Sequence, residues 1–270
     1  MPLLYILGAS FLLFCLYLLS LRPGKYRPIS EKFVRERYAH RGLWGESAAE
    51  NSLTAFRRAV EQGYAVEMDV HLSKDGALVV FHDEHLERMT GCRGSVRDYT
   101  AEELSHIKLG KTNDSIPTFR EVLDVISGKV PILLEIKPDR NWRDISAAAI
   151  SMLKDYKGPV CMESFHPFAV RYFAKNAPHI PRGFLWGRHF HYKSFRRPEH
   201  FLLWTMCFNW LAKPDFIAAN WEFANDFPLV FVRTLYKSRY LLWTVRSAEV
   251  ENAVKPLTHG FIFEGYLPDK

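Results

Sequence analysis

Two periodicities alternate along the chain. Short β-rich runs stand at 38–40, 65–72, 132–136, 160–165, 183–186, 216–219, 240–245 and 261–263, and segments with apolar residues at helical spacing lie between them, such as 53–62, 118–126, 145–156, 168–176 and 248–254. Some of these helices carry start signals: Ser52 precedes Leu53, Thr118 is followed three residues on by Glu121, and Ser247 is closely followed by Glu249. A side-chain oxygen at such a position accepts from the free N–H groups of a first helical turn. Strand and helix repeated about eight times predicts an α/β protein, a (β/α)8 TIM barrel rather than an open sheet. A barrel of this kind takes ~250 residues as one domain, which suits the 270 present.

Three stretches depart from the alternation. Residues 2–21 contain no charged side chain, and at 1.5 Å per residue they can cross a hydrocarbon core of ~30 Å. A cleaved signal peptide is the competing reading, but no Lys or Arg precedes the run and no small-residue cleavage site follows it. The chain is therefore expected to have a transmembrane anchor at 1–21, a basic linker at 22–37 and a barrel at 38–270. Arg22, Lys25, Arg27, Lys32, Arg35 and Arg37 crowd the far side of the apolar run, which places the barrel on the cytoplasmic side of a single-pass membrane protein. The second departure follows the second strand: 77–82 is another extended run, and about 83–115 is long, polar and without a clear period. Val96, Tyr99, Leu104, Ile107 and Leu109 give this insertion enough apolar spacing for a small cluster above a barrel mouth. Third, no helix follows the last run, so the segment 30–37 with Phe33 and Val34, or a dimer partner, is expected to cover that flank.

Charge changes the picture little. A net charge of +6 suits an anionic surface or substrate, and no aromatic-basic motif of a nucleic-acid module is present, so no nucleic-acid partner is expected. The four cysteines, Cys15, Cys92, Cys161 and Cys207, are scattered and form no metal or disulfide framework, which agrees with a reducing compartment.

The chemistry gathers between residues 38 and 83. Glu67 and Asp69 alternate along one strand and so point the same way. Two like charges on one face call for a cation or a proton between them. His40 and His82 each end an extended run, where barrel enzymes carry catalytic groups, and both can move protons near neutral pH. His71 shares the face of the two carboxylates but lies beyond them and is not taken as a ligand. Glu163 and Trp243 fall on later strands that line the same mouth.

His40-Arg41-Gly42, Glu50-Asn51-Ser52, Glu67-x-Asp69, Lys74-Asp75-Gly76 and His82-Asp83, in this order and spacing, resemble the glycerophosphodiester phosphodiesterase family. The resemblance continues through Ile116-Pro117-Thr118, Glu135-Ile136-Lys137, Ser164-Phe165 and Trp243-Thr244-Val245, and so covers roughly 38–268. It implies that His40 and His82 are the general acid and base. It also implies that Glu67, Asp69 and Glu135 hold one divalent cation, with all-oxygen ligation that suits Mg2+ or Ca2+. Lys137 would meet the phosphate, joined by Arg41, whose guanidinium fork fits a phosphate edge, while Asn51 would orient a site group. The chain departs from the family pattern at Arg246, where Asn is usual, and at Glu264-Gly265-Tyr266-Leu267, where Thr-Asp is usual before the final Pro. Both departures are expected to lie outside the acid-base and metal set. The activity expected is hydrolysis of a glycerophosphodiester to glycerol 3-phosphate and an alcohol. The alternatives are phosphodiester cleavage of lysolipids, as by a lysophospholipase D, and a barrel that binds headgroups without turnover.

Overall fold

In the computed structural model, which describes residues 2–25, 27–187, 202–258 and 260–269, eight parallel strands close on themselves. Strand β1 (Arg37–Ala39) pairs with β2 (Ala65–Leu72) on one side and β9 (Gly260–Phe263) on the other. Around the ring between them run β4 (Ile132–Ile136), β5 (Val160–Ser164), β6 (Arg182–Trp186), β7 (Phe216–Asn220) and β8 (Arg239–Val245). The short β3 (Leu78–Val80) pairs antiparallel with the end of β2 and stands outside the ring. The expected eight runs are thus the eight barrel strands, and the extra run at 77–82 is the hairpin partner. Alternation along each strand builds two layers of core. Val66, Met68 and Val70 face the helices, whereas Ala65, Leu133, Cys161, Phe216, Leu241 and Ile262 fill the lumen.

Ten helices can be described: α1 (Pro2–Ser20), α2 (Leu53–Glu61), α3 (Glu87–Thr90), α4 (Ala101–Ser105), α5 (Phe119–Ile126), α6 (Trp142–Leu153), α7 (Pro167–Asn176), α8 (Asn209–Ala212), α9 (Phe227–Tyr236) and α10 (Ala248–Val254). Local chemistry sets their starts. Ser52 accepts from Ala55 N–H, Ser247 accepts from Val250 N–H, and Thr118 and Glu121 cap α5 reciprocally. The helix expected at 145–156 lies three residues nearer the N-terminus, starting at Trp142, which packs on the core ahead of Ile145. Helix α9 escaped periodicity altogether: in FPLVFVRTLY the apolar residues surround the helix instead of striping it.

Residues 83–115 fold over a small core of their own, in which Phe81, Leu86, Val96, Leu104, Leu109 and Ile116 are buried together with Val79 and Ala49. Asp114 ties this unit to the barrel by accepting from Thr54 Oγ1 and Ala49 N–H.

The segment 30–37 does not cover the flank beyond β9. Phe33 and Val34 instead enter the lumen cluster with Tyr38, Leu133 and Phe216, and so close the floor of the barrel. The backbone at 34–36 passes so near Gly260 that a Cβ there would lie 2.4 Å from Glu36 O. The flank is covered from the other end of the chain. Tyr266 stacks edge-on to Phe263, Tyr64 does the same, and Tyr64 Oη donates to Pro268 O. Tyr266 of the tail and Tyr64 of the loop before β2 thus pack together against Phe263 on this flank.

Candidate active site

The site lies at the C-terminal ends of the strands, where a parallel barrel leaves its loops free to carry chemistry. Asp69 on β2, Glu135 on β4 and Glu163 on β5 are register partners across three neighbouring strands, so their carboxylates enter the lumen at one level. Glu67 lies one pleat repeat before Asp69 on the same face. Ligand oxygens of Glu67, Asp69 and Glu135 all lie within 4.8 Å of one another, and all three residues are buried. Lys137 reaches back into this group, with Nζ 2.6 Å from Asp69 Oδ1 and 2.9 Å from Glu135 Oε1. Asn51 Nδ2 donates to Asp69 Oδ2 at 2.9 Å, and Arg41 N–H donates to Glu67 Oε2 at 2.9 Å. Arg41 and Asn51 both have positive φ, 58° and 56°, so the loop after β1 is bent to present them.

Electrostatics separate the carboxylates. Burial, then the charges of Asp69, Glu135 and Glu163, push the Glu67 pKa well above the usual carboxylate range. Burial, Glu135 and Asp69 raise Glu163 in the same direction. For Asp69 burial is outweighed by Lys137, His82 and Arg41, which hold its carboxyl well below that range. Four carboxylates here face two full cations, Lys137 and Arg41. Glu163 Oε2 is buried without a hydrogen-bond partner, and so is Trp243 Nε1 across the cavity. A divalent cation suits this set: its oxygens are hard ligands and the cluster is short of positive charge.

Each imidazole is held from behind. His40 Nδ1 bonds to Glu264 Oε2, and His82 Nδ1 lies 2.6 Å from Asp83 Oδ1. Nδ1 engaged with a carboxylate leaves Nε2 as the ring nitrogen free for a further partner. His40 Nε2 stands 4.0 Å from Glu67 Oε2. Burial lowers the His40 pKa, while Glu264 and Asp69 oppose that shift. Behind His82 runs an ionic chain: Asp83 pairs with Arg88, Arg88 with Glu50, and Glu50 with Arg41. His71 is no part of the carboxylate cluster. Its Nε2 lies 3.1 Å from the His82 carbonyl, which it can hold from below.

His40, Arg41, Glu67, His82, Glu135, Glu163 and Trp243 line one cavity of about 170 Å³, closed on the apolar side by Phe165, Leu185 and Ile262. Asn51, Asp69 and Lys137 stand just behind its wall through the bonds given above. The structure also brings in residues that the motifs left aside. Glu264, expected to lie outside the acid-base set, contacts His40 directly, and Arg246 pairs with the same carboxylate. A lone carboxylate at the end of the last strand was the available signal, since strand ends are where barrel sites gather.

A profile of the glycerophosphoryl diester phosphodiesterase family matches residues 40–263. A glycerophosphodiester phosphodiesterase of Caldanaerobacter subterraneus is 38% identical over 159 residues, 55% of this chain and 65% of that protein. The human lysophospholipase D GDPD1 is 34% identical over 125 residues, 41% of this chain and 39% of that protein. The match with the Caldanaerobacter protein, like that with a Bacillus altitudinis relative at 63%, takes in less than two thirds of the relative's own length. Among solved structures, an Oleispira antarctica phosphodiesterase in complex with the product sn-glycerol-3-phosphate superposes with a TM-score of 0.72 at 25% identity, covering 87% of this chain and 94% of that one. With the family profile spanning most of the barrel and the fold agreeing with the Oleispira structure, the chain belongs to the glycerophosphoryl diester phosphodiesterase family.

Proposed function

We propose that the protein is a metal-dependent phosphodiesterase that hydrolyses glycerophosphodiesters to glycerol 3-phosphate and an alcohol. The observation that carries this reading is that His40 and His82, each with a carboxylate behind Nδ1, line the same small cavity as Glu67 and Glu135. The product complex of the Oleispira enzyme, which shares the fold, supports it.

Glu67, Asp69 and Glu135 would hold one divalent cation, Mg2+ or Ca2+, which when bound would neutralise charge on the phosphoryl oxygens. Lys137 serves the same end from the protein side. Burial works against its charge, but Asp69 and Glu135 outweigh burial and raise its pKa, so the ammonium persists. Arg41 adds a guanidinium at the cavity wall. The apolar wall of Phe165, Leu185 and Trp243 suits the glycerol carbons, with Glu163 Oε2 and Trp243 Nε1 free to bond its hydroxyls. One imidazole takes the proton of the attacking oxygen and the other returns one to the departing alkoxide. His82 also borders a second, wider cavity of about 560 Å³ with Asp83, Glu87, Arg88 and Asp139. Protonation of the leaving alcohol is accordingly assigned to His82, and the base role to His40.

The apolar helix α1 is read as an uncleaved single-pass anchor with the barrel on the cytoplasmic side. Its fixed end supports retention: Leu21 is fully buried, Asn209 Nδ2 donates to Leu21 O and Tyr236 Oη to Leu18 O. This attachment also favours a second reading, cleavage of lysolipids at the membrane.

The test is direct. The purified chain, given glycerophosphodiesters and lysolipids with Mg2+ or Ca2+, is scored for glycerol 3-phosphate and for lysophosphatidic acid. Release of glycerol 3-phosphate that stops in chelator supports the first reading. No release with either ion, or undiminished release in chelator, removes it.

A further inference from the structure

Helix α9 is built unlike other helices of the barrel. Helices α2 and α5 each carry three charged residues, of which Arg57, Glu61, Arg120, Glu121 and Asp124 are exposed. In α9 Arg233 is the only charged residue among ten. Its inner face is Pro228, Leu229 and Val232, yet Phe227, Phe231 and Leu235 form a second apolar stripe at i, i+4 and i+8 on the outside. Phe227 and Leu235 are 51% and 52% exposed. The adjoining α8 adds Trp210 at 55%. An amphipathic helix on a water-facing barrel has no use for an outer stripe of this kind.

Helix α1 points to a bilayer as what the stripe meets. Its 19 residues measure roughly 28 Å, barely the thickness of a hydrocarbon core, so all of it is needed for a span. Phe14 precedes the end of α1 by six residues and thus lies roughly 9 Å inside that end. Yet Phe14 packs edge-on against Phe231 of α9, and Tyr17 lies parallel to Phe227. Tyr17 Oη also donates to Thr205 O. The barrel residues that touch α1 at these depths must enter the membrane boundary with it. Arg22, Lys25, Lys213 and Lys237 are exposed around the same junction, where anionic headgroups would meet them.

We infer that the outer face of α9, with Trp210 of α8, is a bilayer-contact surface that seats the barrel in the headgroup region of an anionic membrane. This rests on the reading of α1 as a membrane span. The seating has a direction. α9 follows β7, so its Phe227 end lies on the mouth side of the barrel. The neighbouring strands β6 and β8 carry Leu185 and Trp243, so the apolar wall of the active-site cavity stands on the membrane side of the barrel and the ionic wall on the other.

The experiment uses the full chain reconstituted into vesicles of phosphatidylcholine and phosphatidylglycerol. Cys15, Cys92 and Cys207 are replaced by Ala and the buried Cys161 is kept. Single labels are then placed through Leu12→Cys, Phe227→Cys, Leu235→Cys or Asp124→Cys, and lipid-borne nitroxides near the headgroups and along the acyl chains are the quenchers. The expected result is loss of fluorescence at Leu12, Phe227 and Leu235 and none at Asp124. Quenching at Leu12 without quenching at Phe227 and Leu235 overturns the surface and leaves α1 as a plain tether. Phe227 and Leu235 unquenched but cross-linking between chains likewise overturns it, in favour of a second copy on the stripe. No quenching even at Leu12 removes the span itself, and the surface falls with it.

Discussion

At the scale of single residues, a carboxylate behind each imidazole decides how the ring works. Glu264 accepts from His40 Nδ1 and raises the His40 pKa against the stronger effect of burial. The bond is reciprocal: burial would raise the Glu264 carboxyl, but His40 and Arg246 outweigh it and hold it down to about 2. Glu264→Gln removes the opposing carboxylate, so His40 becomes less basic. The pH limb of kcat/KM that belongs to His40 should move to lower pH, with kcat reduced ~10-fold or more because the tautomer is no longer held. An unmoved pH profile would show that Glu264 is merely structural. The histidines themselves carry more. His40→Ala and His82→Ala should each lower kcat ~100-fold or more with the fold intact by circular dichroism. Near-normal turnover in either variant would remove that ring from the chemistry. For the carboxylates, Glu67→Gln, Asp69→Asn and Glu135→Gln should each weaken divalent-cation binding in a calorimetric titration, since the three groups of the proposed site would share the ion's charge. Unchanged affinity in all three would place the ion elsewhere.

At the scale of elements, the segment before β1 earns a stability role. Phe33 is 2% exposed and Val34 1%, both inside the lumen, while Ile29 on the same stretch is 47% exposed. Phe33→Ala opens a cavity at the barrel floor and should cost ~3 kcal/mol or more, whereas Ile29→Ala should stay within ~0.5 kcal/mol. Denaturant unfolding of the two variants compares them; equal midpoints would mean that the floor is dispensable. Arg27 strengthens the same strap by pairing with the fully buried side chain of Asp215, which also accepts from Arg182 N–H. Breaking a buried pair of this kind leaves a charge without its partner. The stretch expected as a basic linker is thus packed along much of its length.

At the scale of the whole molecule, the apolar helix α1 and the barrel are joined through side chains rather than hung on a string. Removing residues 1–13 would leave Phe14, Phe227 and Phe231 as an apolar patch beside Arg22 and Lys25. The shortened chain should still bind anionic vesicles, and increasingly weakly as salt rises from low to physiological strength, because exposed charges are screened over ~8 Å there. Sedimentation with vesicles measures this, and a chain that stays wholly in the supernatant would confine membrane attachment to α1. The segment 202–212 follows residues 188–201, which lie outside the described residues and include Lys193, Arg196 and Arg197. Within it Leu202 and Trp210 are exposed.

What the sequence determined by itself was local. Strand alternation is a period of two residues, so Glu67 and Asp69 could be put on one face without any knowledge of the fold, and the caps at Ser52, Thr118 and Ser247 are read within three residues. The motif spacing likewise brought His40, Arg41, Glu67, His82, Glu135, Glu163 and Trp243 to one cavity, because each sits at or near a strand end and a closed barrel gathers all strand ends together. What only tertiary structure decided is set by chain ends far apart. Glu264 reaches His40 across 224 positions, Tyr64 meets Pro268 across 204, and Tyr236 meets Leu18 across 218. Helix α9 belongs to the same class: its apolar residues are legible, but which side faces β-strands and which side faces α1 is settled by closure of the barrel, for no local period distinguishes two apolar faces of one helix.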